Sequence, residues 1–394
     1  MVNKKPVGDV LYMPPVVIVG TGSSNKIGEE CRKLGWSKSL IITDEIIIKT
    51  GILDSIKLSL TRANIQYAIY SGVTTEPTLE SVDDGLRFYR EKGCEFLVAV
   101  GGGSAIDATK AISIMATNAG SISDYQGVNK IPVRGVPVAA IPTTAGTGSE
   151  ATRVAIITDT QKDIKMLYSS PFLVPQIAIA DPLLTLSMPP GLTAATGIDA
   201  LTHAIEAYVS VKANPLADIF CLSAIEHISG NLRKAWSNGK NVTAREMMMM
   251  GALQAGVAFS NSSVALVHGM SRPIGACFHV AHGVSNAALL SVVTEFSLIG
   301  NPERYARIAQ AMGEITDGLS VMDAATKAVQ SIKRLVSDVK IPTLKGLGID
   351  KEELIRLSPK MAEDAIASGS PANNPRIATQ EDIVDLYLLA YKQN

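Results

Sequence analysis

Apolar residues in the first half of the chain fall into short, nearly continuous runs. VVIVG (16–20), SLIIT (39–43), IQYAIY (65–70), FLVAV (96–100), VPVAAI (136–141), RVAIIT (153–158) and QIAIA (176–180) have strand length and little alternation. A strand covered on one face alternates, whereas one covered on both faces is apolar throughout, as in a parallel sheet. Between the runs, Lys26–Leu34 and Thr78–Lys92 show helical spacing and are long enough for crossover helices. Strand–helix repetition of this kind predicts a doubly wound α/β domain. After Pro189-Pro190-Gly191 the strand-like runs mostly vanish. Segments rich in Ala, Leu, Met and Ile take over at helical spacing: Thr193–Lys212, Pro215–Trp236, Thr243–Ser260, Pro302–Met312, Val321–Ser337 and Glu381–Tyr391. The pattern predicts an α/β domain over 1–188 and an all-helical domain over 189–394. The run Met247–Met250 reads as flexible core filling within a helix.

Composition narrows the class. At roughly 150 residues per domain, 394 residues fit two or three domains. With 46% hydrophobic and 19% charged residues the chain has ample core. The 36 Lys+Arg and 37 Asp+Glu give a net charge of −1, which argues against a nucleic-acid partner, since phosphates need a basic face. No apolar run reaches the roughly 18 residues of a membrane helix, so no membrane partner is expected. Cys31, Cys94, Cys221 and Cys277 form no CxxC pair and read as free thiols in a reducing compartment. Lys4 and Lys5 precede an apolar stretch, but Pro14-Pro15 interrupts it; a cytoplasmic protein is expected.

Two loops carry candidate phosphate chemistry. FLVAVGGGSAIDATKAI (96–112) runs from a buried strand through three glycines and Ser104 into a helix with Asp107 and Lys110. A diphosphate needs backbone N–H groups free of Cβ obstruction, with the positive end of a helix behind them. A tight strand-to-helix turn without a ligand would look the same. PTTAGTGSE (142–150), small and hydroxylated, follows another apolar run. Two such loops on neighbouring strands would form a crevice at the carboxyl edge of the sheet. Asp44 follows the run SLIIT; it suits either a ribose hydroxyl or the N-cap of the next helix.

The histidines point elsewhere. All five lie in the helical half, four of them in two windows. TGIDALTHAIEAY (196–208) puts Asp199 and His203 at i, i+4 on one helix face. LVHGMSRPIGACFHVAHG (266–283) adds His268, His279 and His282. Imidazoles with a carboxylate form a mixed N/O donor set that suits Fe(II), Zn or a similar divalent ion, not Ca or Mg. Glu206, further along the first face, is a candidate to support a ligand or to pack the helix, and His227 reads as structural.

GGGSAIDATKA, PTTAGTGSE, DPLLTLSMPP, DALTHAIEAY, and HGM followed by His282-Gly283, in this order, resemble the iron-containing (group III) metal-dependent alcohol dehydrogenases over essentially the whole chain. The resemblance implies a dehydroquinate synthase-like architecture: an N-terminal α/β dinucleotide-binding domain and an all-α metal-binding domain. It implies NAD(H), with Gly102, Gly103 and Ser104 at the pyrophosphate and Asp107 in the same segment. Asp44 would favour NAD over NADP, Thr143, Thr144 and Thr147 would line the cofactor, and Lys165 would sit near its ribose. Asp199, His203, His268 and His282 match the four ligands of one divalent metal, Fe(II) foremost with Zn as the alternative. The family's habit is a homodimer or larger homo-oligomer. The expected reaction is hydride transfer between NAD(H) and a small alcohol/aldehyde pair.

Two positions depart from the family pattern. Ala281 stands where Pro-His-Gly is usual, which leaves the ligand in place. Arg272 stands four residues after His268, where some members carry a histidine near the nicotinamide and substrate. A proton-relay role does not transfer to a permanent cation. An arginine fork suits carboxylate or sulfonate oxygens, so a reductase for a short anionic aldehyde, sulfoacetaldehyde or a semialdehyde acid, is an alternative. Arg272 could equally contact the cofactor or a structural partner. His279 is the remaining imidazole that could pass a proton, or it packs as a supporting residue. A dehydroquinate synthase-like lyase is the alternative from another reaction class.

Overall fold

A computed structural model describes residues 9–392 except Thr75 and Asp163. The chain divides into two compact units, Tyr12–Ser187 and Met188 onward, the latter taking in the described residues before Tyr12. Residues 9–11, which the sequence boundary put in the α/β domain, group with the second unit.

In the first unit the strands are β1 (Val16–Val19), β2 (Lys38–Ile42), β3 (Gln66–Tyr70), β4 (Phe96–Gly101), β5 (Gly127–Val128), β6 (Val138–Pro142), β7 (Val154–Asp159), β8 (Ile164–Ser169) and β9 (Ile177–Ala180). Six form one sheet in the order β1-β9-β6-β4-β2-β3, with every pairing parallel. The central strands β4, β6 and β9 are buried at every residue, and the edge strands β1 and β3 are only partly covered. Central strands therefore read as continuous apolar runs because helices cover both faces. The helices are α1 (Ile27–Lys33), α2 (Glu45–Thr50), α3 (Leu53–Arg62), α4 (Leu79–Lys92) and α5 (Gly103–Met115). At the start of α4, Thr78 and Ser81 cap each other's backbone reciprocally.

The run RVAIIT leaves the main sheet. It forms β7, antiparallel to β8, in a small sheet ordered β5-β8-β7. Its burial alternates residue by residue, as a strand covered on one face requires. β8, reading IKMLYS, is too polar to stand out as an apolar run.

The chain leaves β2 toward β3 on one side and leaves β4 toward β6 on the other. The connections diverge between β2 and β4, which is where open α/β sheets form a ligand crevice. Asp44 follows β2 and the triple glycine ends β4.

The second unit contains α6 (Pro190–Val209), α7 (Pro215–Ser237), α8 (Val242–Ser262), α9 (Leu266–Phe278), α10 (His282–Ser297), α11 (Pro302–Ala311), α12 (Val321–Asp338), α13 (Lys351–Ala367) and α14 (Gln380–Lys392). Proline opens α6, α7 and α11 at a position whose N–H has no helical acceptor. α6 is buried almost all round, and Met248 and Met249 fill core positions on α8. α10 is apolar enough to resemble a membrane span, but most of that stretch is buried within the fold. α13 falls where the hydrophobic pattern left the chain unassigned, its periodicity diluted by charge and by the internal Pro359.

Candidate active site

α6 carries the acidic donor. Asp199 sits on the buried helix with His203 one turn on and Glu206 beyond it. α9 supplies His268 in its first turn, and α10 begins at His282. α9 ends at His279, which adopts a left-handed φ of 55° and turns the chain toward α10. Gly283 lets α10 approach α6: a Cβ there would lie 2.8 Å from the Ala195 carbonyl oxygen.

Ligating atoms of Asp199, His268 and His282 lie within 4.8 Å of one another. His268 Nε2 is 3.8 Å and His282 Nε2 4.0 Å from Asp199 Oδ1. The His282 side chain is 45% exposed, whereas Asp199 and His268 are buried, so the cluster opens on one side. His203, expected beside Asp199 as a ligand, is buried and stacks between rings, with centroids 4.2 Å from Phe259 and 4.5 Å from His268. Its ring packs directly on that of His268, beside the converging donors.

Glu206 holds the cluster from behind. It accepts from the backbone N–H of Ala265 at 2.9 Å and of Val267 at 2.5 Å, and Oε2 lies 2.6 Å from His268 Nδ1. With Glu206 ionised, Nδ1 carries the proton in that contact, and Nε2 of His268 faces Asp199. Burial pushes the Glu206 carboxyl up to about 7, against the pull of those N–H groups. Burial also raises Asp199, but the histidines, His203 first, and the Asn286 amide outweigh it and hold the carboxyl below its ordinary value. Burial, then the neighbouring His203 and His282, push His268 well below its ordinary value, so this imidazole is neutral. A buried carboxylate facing imidazoles is the donor chemistry a divalent first-row ion takes.

Sequence reading missed Asn286. It lies one turn after His282 and is fully buried. Its Nδ2 donates to Asp199 Oδ1 at 2.6 Å and lies 3.2 Å from His268 Nε2 and 3.1 Å from His282 Nε2. The i, i+4 spacing from His282 was the available signal.

Arg272 lies one turn after His268, and its Nη1 donates to Ser370 Oγ at 3.0 Å. Burial lowers its pKa, opposed by the charge of Glu206. Among the described residues no carboxylate lies within ion-pair distance of this guanidinium. His279 is exposed at the end of α9, not packed as a support.

In the sheet unit the two small-residue loops leave adjacent strands. Gly101 pairs with Pro142, and Thr143 N–H donates to the Gly101 carbonyl at 2.9 Å. Thr147 packs on Gly103, where a Cβ would lie 2.8 Å from Thr147 Cγ2, and Thr144 flanks Gly102. Ser104 opens α5 behind the glycines. Asp44 caps α2 through Oδ1, accepting from Ile47 N–H at 2.9 Å. Its Oδ2 lies beside Gly101, 3.7 Å from where a side chain there would begin. The cap and the crevice position coexist.

Two expected cofactor residues also make contacts within the protein. Asp107 points into the protein: it accepts from Ser149 Oγ at 2.5 Å and from Ile156 N–H at 2.9 Å, tying α5 to the second loop and to β7. Lys165, exposed at the start of β8, pairs with Glu76 at 2.5 Å. The pairing of β8 with β7, invisible in the sequence, decides that position. Lys110 is buried and donates to Ser149 Oγ, to Thr152 O and Oγ1, and to Val154 O.

Comparison with known proteins names the combination. The family model described as iron-containing alcohol dehydrogenase matches residues 14–182, and its C-terminal counterpart matches 193–391. The chain belongs to the iron-containing alcohol dehydrogenase family. It is 41% identical over 382 residues to a 1,3-propanediol dehydrogenase of Citrobacter freundii, covering 96% of this chain and 98% of the relative. It is 38% identical over 376 residues to an NAD-dependent methanol dehydrogenase of Bacillus methanolicus, covering 95% and 98%. The crystal structure of a 1,3-propanediol oxidoreductase superposes with a TM-score of 0.94 at 40% identity, covering 98% of this chain and all of the other. The chain is an enzyme of this dehydrogenase family, with the family's parallel α/β and helical units.

Proposed function

We propose that this iron-containing alcohol dehydrogenase transfers hydride between NAD(H) and a small alcohol/aldehyde pair, using one divalent metal, Fe(II) foremost and Zn as the alternative. The carrying observation is the convergence of Asp199, His268 and His282 on one point. With His203 they are the ligands of the proposal. When bound, the ion supplies Lewis acidity toward the substrate oxygen, and the nicotinamide gives or takes the hydride. The chain's own part is positioning. Glu206 fixes the His268 tautomer. Gly102, Gly103 and Ser104 offer backbone N–H groups at the start of α5 for a pyrophosphate. Thr143, Thr144 and Thr147 form the facing wall, and Asp44 Oδ2 beside Gly101 would accept a ribose hydroxyl and repel a 2′-phosphate. His279, exposed three residues before His282, is the candidate proton carrier; replacing it with Gln is expected to change the pH profile of turnover and leave metal content intact.

Arg272 favours a second reading. The half-buried Arg272 guanidinium, which donates to a serine hydroxyl, has donors to spare for an anion. The substrate in that reading is a short anionic aldehyde, a semialdehyde acid or sulfoacetaldehyde.

The test is NADH oxidation by anaerobically Fe(II)-reconstituted enzyme, with neutral aldehydes (propanal, lactaldehyde) against anionic ones (succinate semialdehyde, sulfoacetaldehyde). Neutral preference supports the first reading. Anionic preference supports the second, and Arg272→Ala should then raise KM about 10-fold or more for the anions alone. No turnover by metal-loaded enzyme with any of them would overturn both and favour the lyase chemistry, which uses NAD without net change. The family resemblance also carries a homo-oligomeric assembly, which sedimentation velocity would read.

A further inference from the structure

Asn286 is the one side chain in the cluster that neither motif contains. Its Nδ2 is 2.6 Å from Asp199 Oδ1, 3.2 Å from His268 Nε2 and 3.1 Å from His282 Nε2. A carboxamide nitrogen has two protons, so three acceptors cannot all be satisfied by it. The shortest contact, to a charged oxygen, takes the strongest bond. Both imidazole nitrogens face the same space. At the other end of the amide, Oδ1 is buried with no hydrogen-bond partner among the described residues. A fully buried amide that leaves its own oxygen unsatisfied is unfavourable for folding alone, which marks it as a group held for the site.

Resting on the metal reading above, we propose that Asn286 is a positioning residue for Asp199. Its bond to Oδ1, the oxygen that faces His268 and His282, fixes the carboxylate in one orientation toward the converging donors. The sequence places it for this role. α10 delivers His282 and Asn286 on one face a turn apart, so one helix both supplies a nitrogen donor and orients the carboxylate carried by α6. The amide cannot be traded for a carboxylate, which has no proton to donate to Asp199 and would repel it.

Zn(II) binding to metal-free protein, read by chelator competition, tests this directly, with Co(II) absorption as the second readout. Asn286→Ala should weaken Zn(II) about 10- to 100-fold while the metal-free protein keeps a cooperative melting transition. Its Co(II) visible bands should change, as expected when the carboxylate is no longer held in one orientation. In an Asp199→Asn background the same substitution should have no further effect, because Asn286 acts through that carboxylate. Zn(II) affinity within threefold of wild type, or an equal loss in the Asp199→Asn background, would overturn the proposal. If the Ala variant loses its transition, Asn286→Leu, which refills the volume, decides by the same readouts; loss of folding in both would overturn it as well. Failure of the wild-type protein to bind Zn(II) or Co(II) would instead strike the metal reading itself.

Discussion

Glu206 shows how much one carboxylate can organise. It accepts two backbone N–H bonds at the start of α9 and faces the Nδ1 of His268. Glu206→Leu would leave three buried donors without an acceptor, each worth about 1–3 kcal/mol. The variant is expected to lose about 3 kcal/mol or more in urea unfolding, and its Zn(II) affinity should fall about 10- to 100-fold. Glu206→Gln keeps an acceptor oxygen and should lie between; wild-type behaviour in the Leu variant would refute the role. In the other unit Glu150 is buried near Lys110, and burial lifts its carboxyl to about 7 while burial lowers Lys110 to about 8. A raised carboxyl means that the unfolded chain releases its proton first. Stability therefore falls as pH rises from about 4.5 to about 7, by up to about 3 kcal/mol. Glu150→Gln should flatten that part of the melting-temperature profile, and an unchanged slope would refute the assignment.

At the scale of elements, two glycines set distances between neighbours. Gly103 lets the β4–α5 turn lie against Thr147, and Gly283 lets α10 lie against the Ala195 carbonyl of α6. A methyl at either would sit 2.8 Å from its neighbour and push two elements apart. The expected effects are distinct. Gly103→Ala should raise the NADH dissociation constant about 10-fold and leave Zn(II) binding alone. Gly283→Ala, which moves His282 away from Asp199, should weaken Zn(II) by a similar factor and leave NADH binding alone. Fluorescence titration with NADH and chelator competition separate the two. Equal loss of both ligands in either variant would count against this division of labour.

Over the whole molecule, the candidate cofactor loops belong to one unit and the candidate metal donors to the other. A ligand protects what it binds: at 100 times its dissociation constant it adds about 2.7 kcal/mol, close to a 100-fold slowing of exchange through unfolding. Hydrogen exchange should therefore show Zn(II) slowing amides of α6, α9 and α10, and NADH slowing those of 96–112 and 142–150. Each ligand alone should leave the other set nearly unchanged. Protection of 96–112 by Zn(II) without nucleotide would show that the two units share one folding equilibrium.

The sequence alone determined what depends on local pattern. Buried parallel strands had to be apolar throughout, so β4, β6 and β9 were legible, as was the change to helical spacing after Pro189. Asp199 and His203 on one helix, and His268 with His282, were legible because residue type and spacing carry the chemistry. The tertiary structure decided what depends on partners distant in the chain. β7 left the main sheet because it pairs with β8, and that pairing gave Lys165 to Glu76. Asp107 turned inward because Ser149 and Ile156 came within its reach. His203 packs between Phe259 and His268, partners its own motif does not name. Asn286 entered the site for the same reason: an asparagine has no chemistry of its own to announce, and its role exists only once α10 brings its amide to the carboxylate on α6.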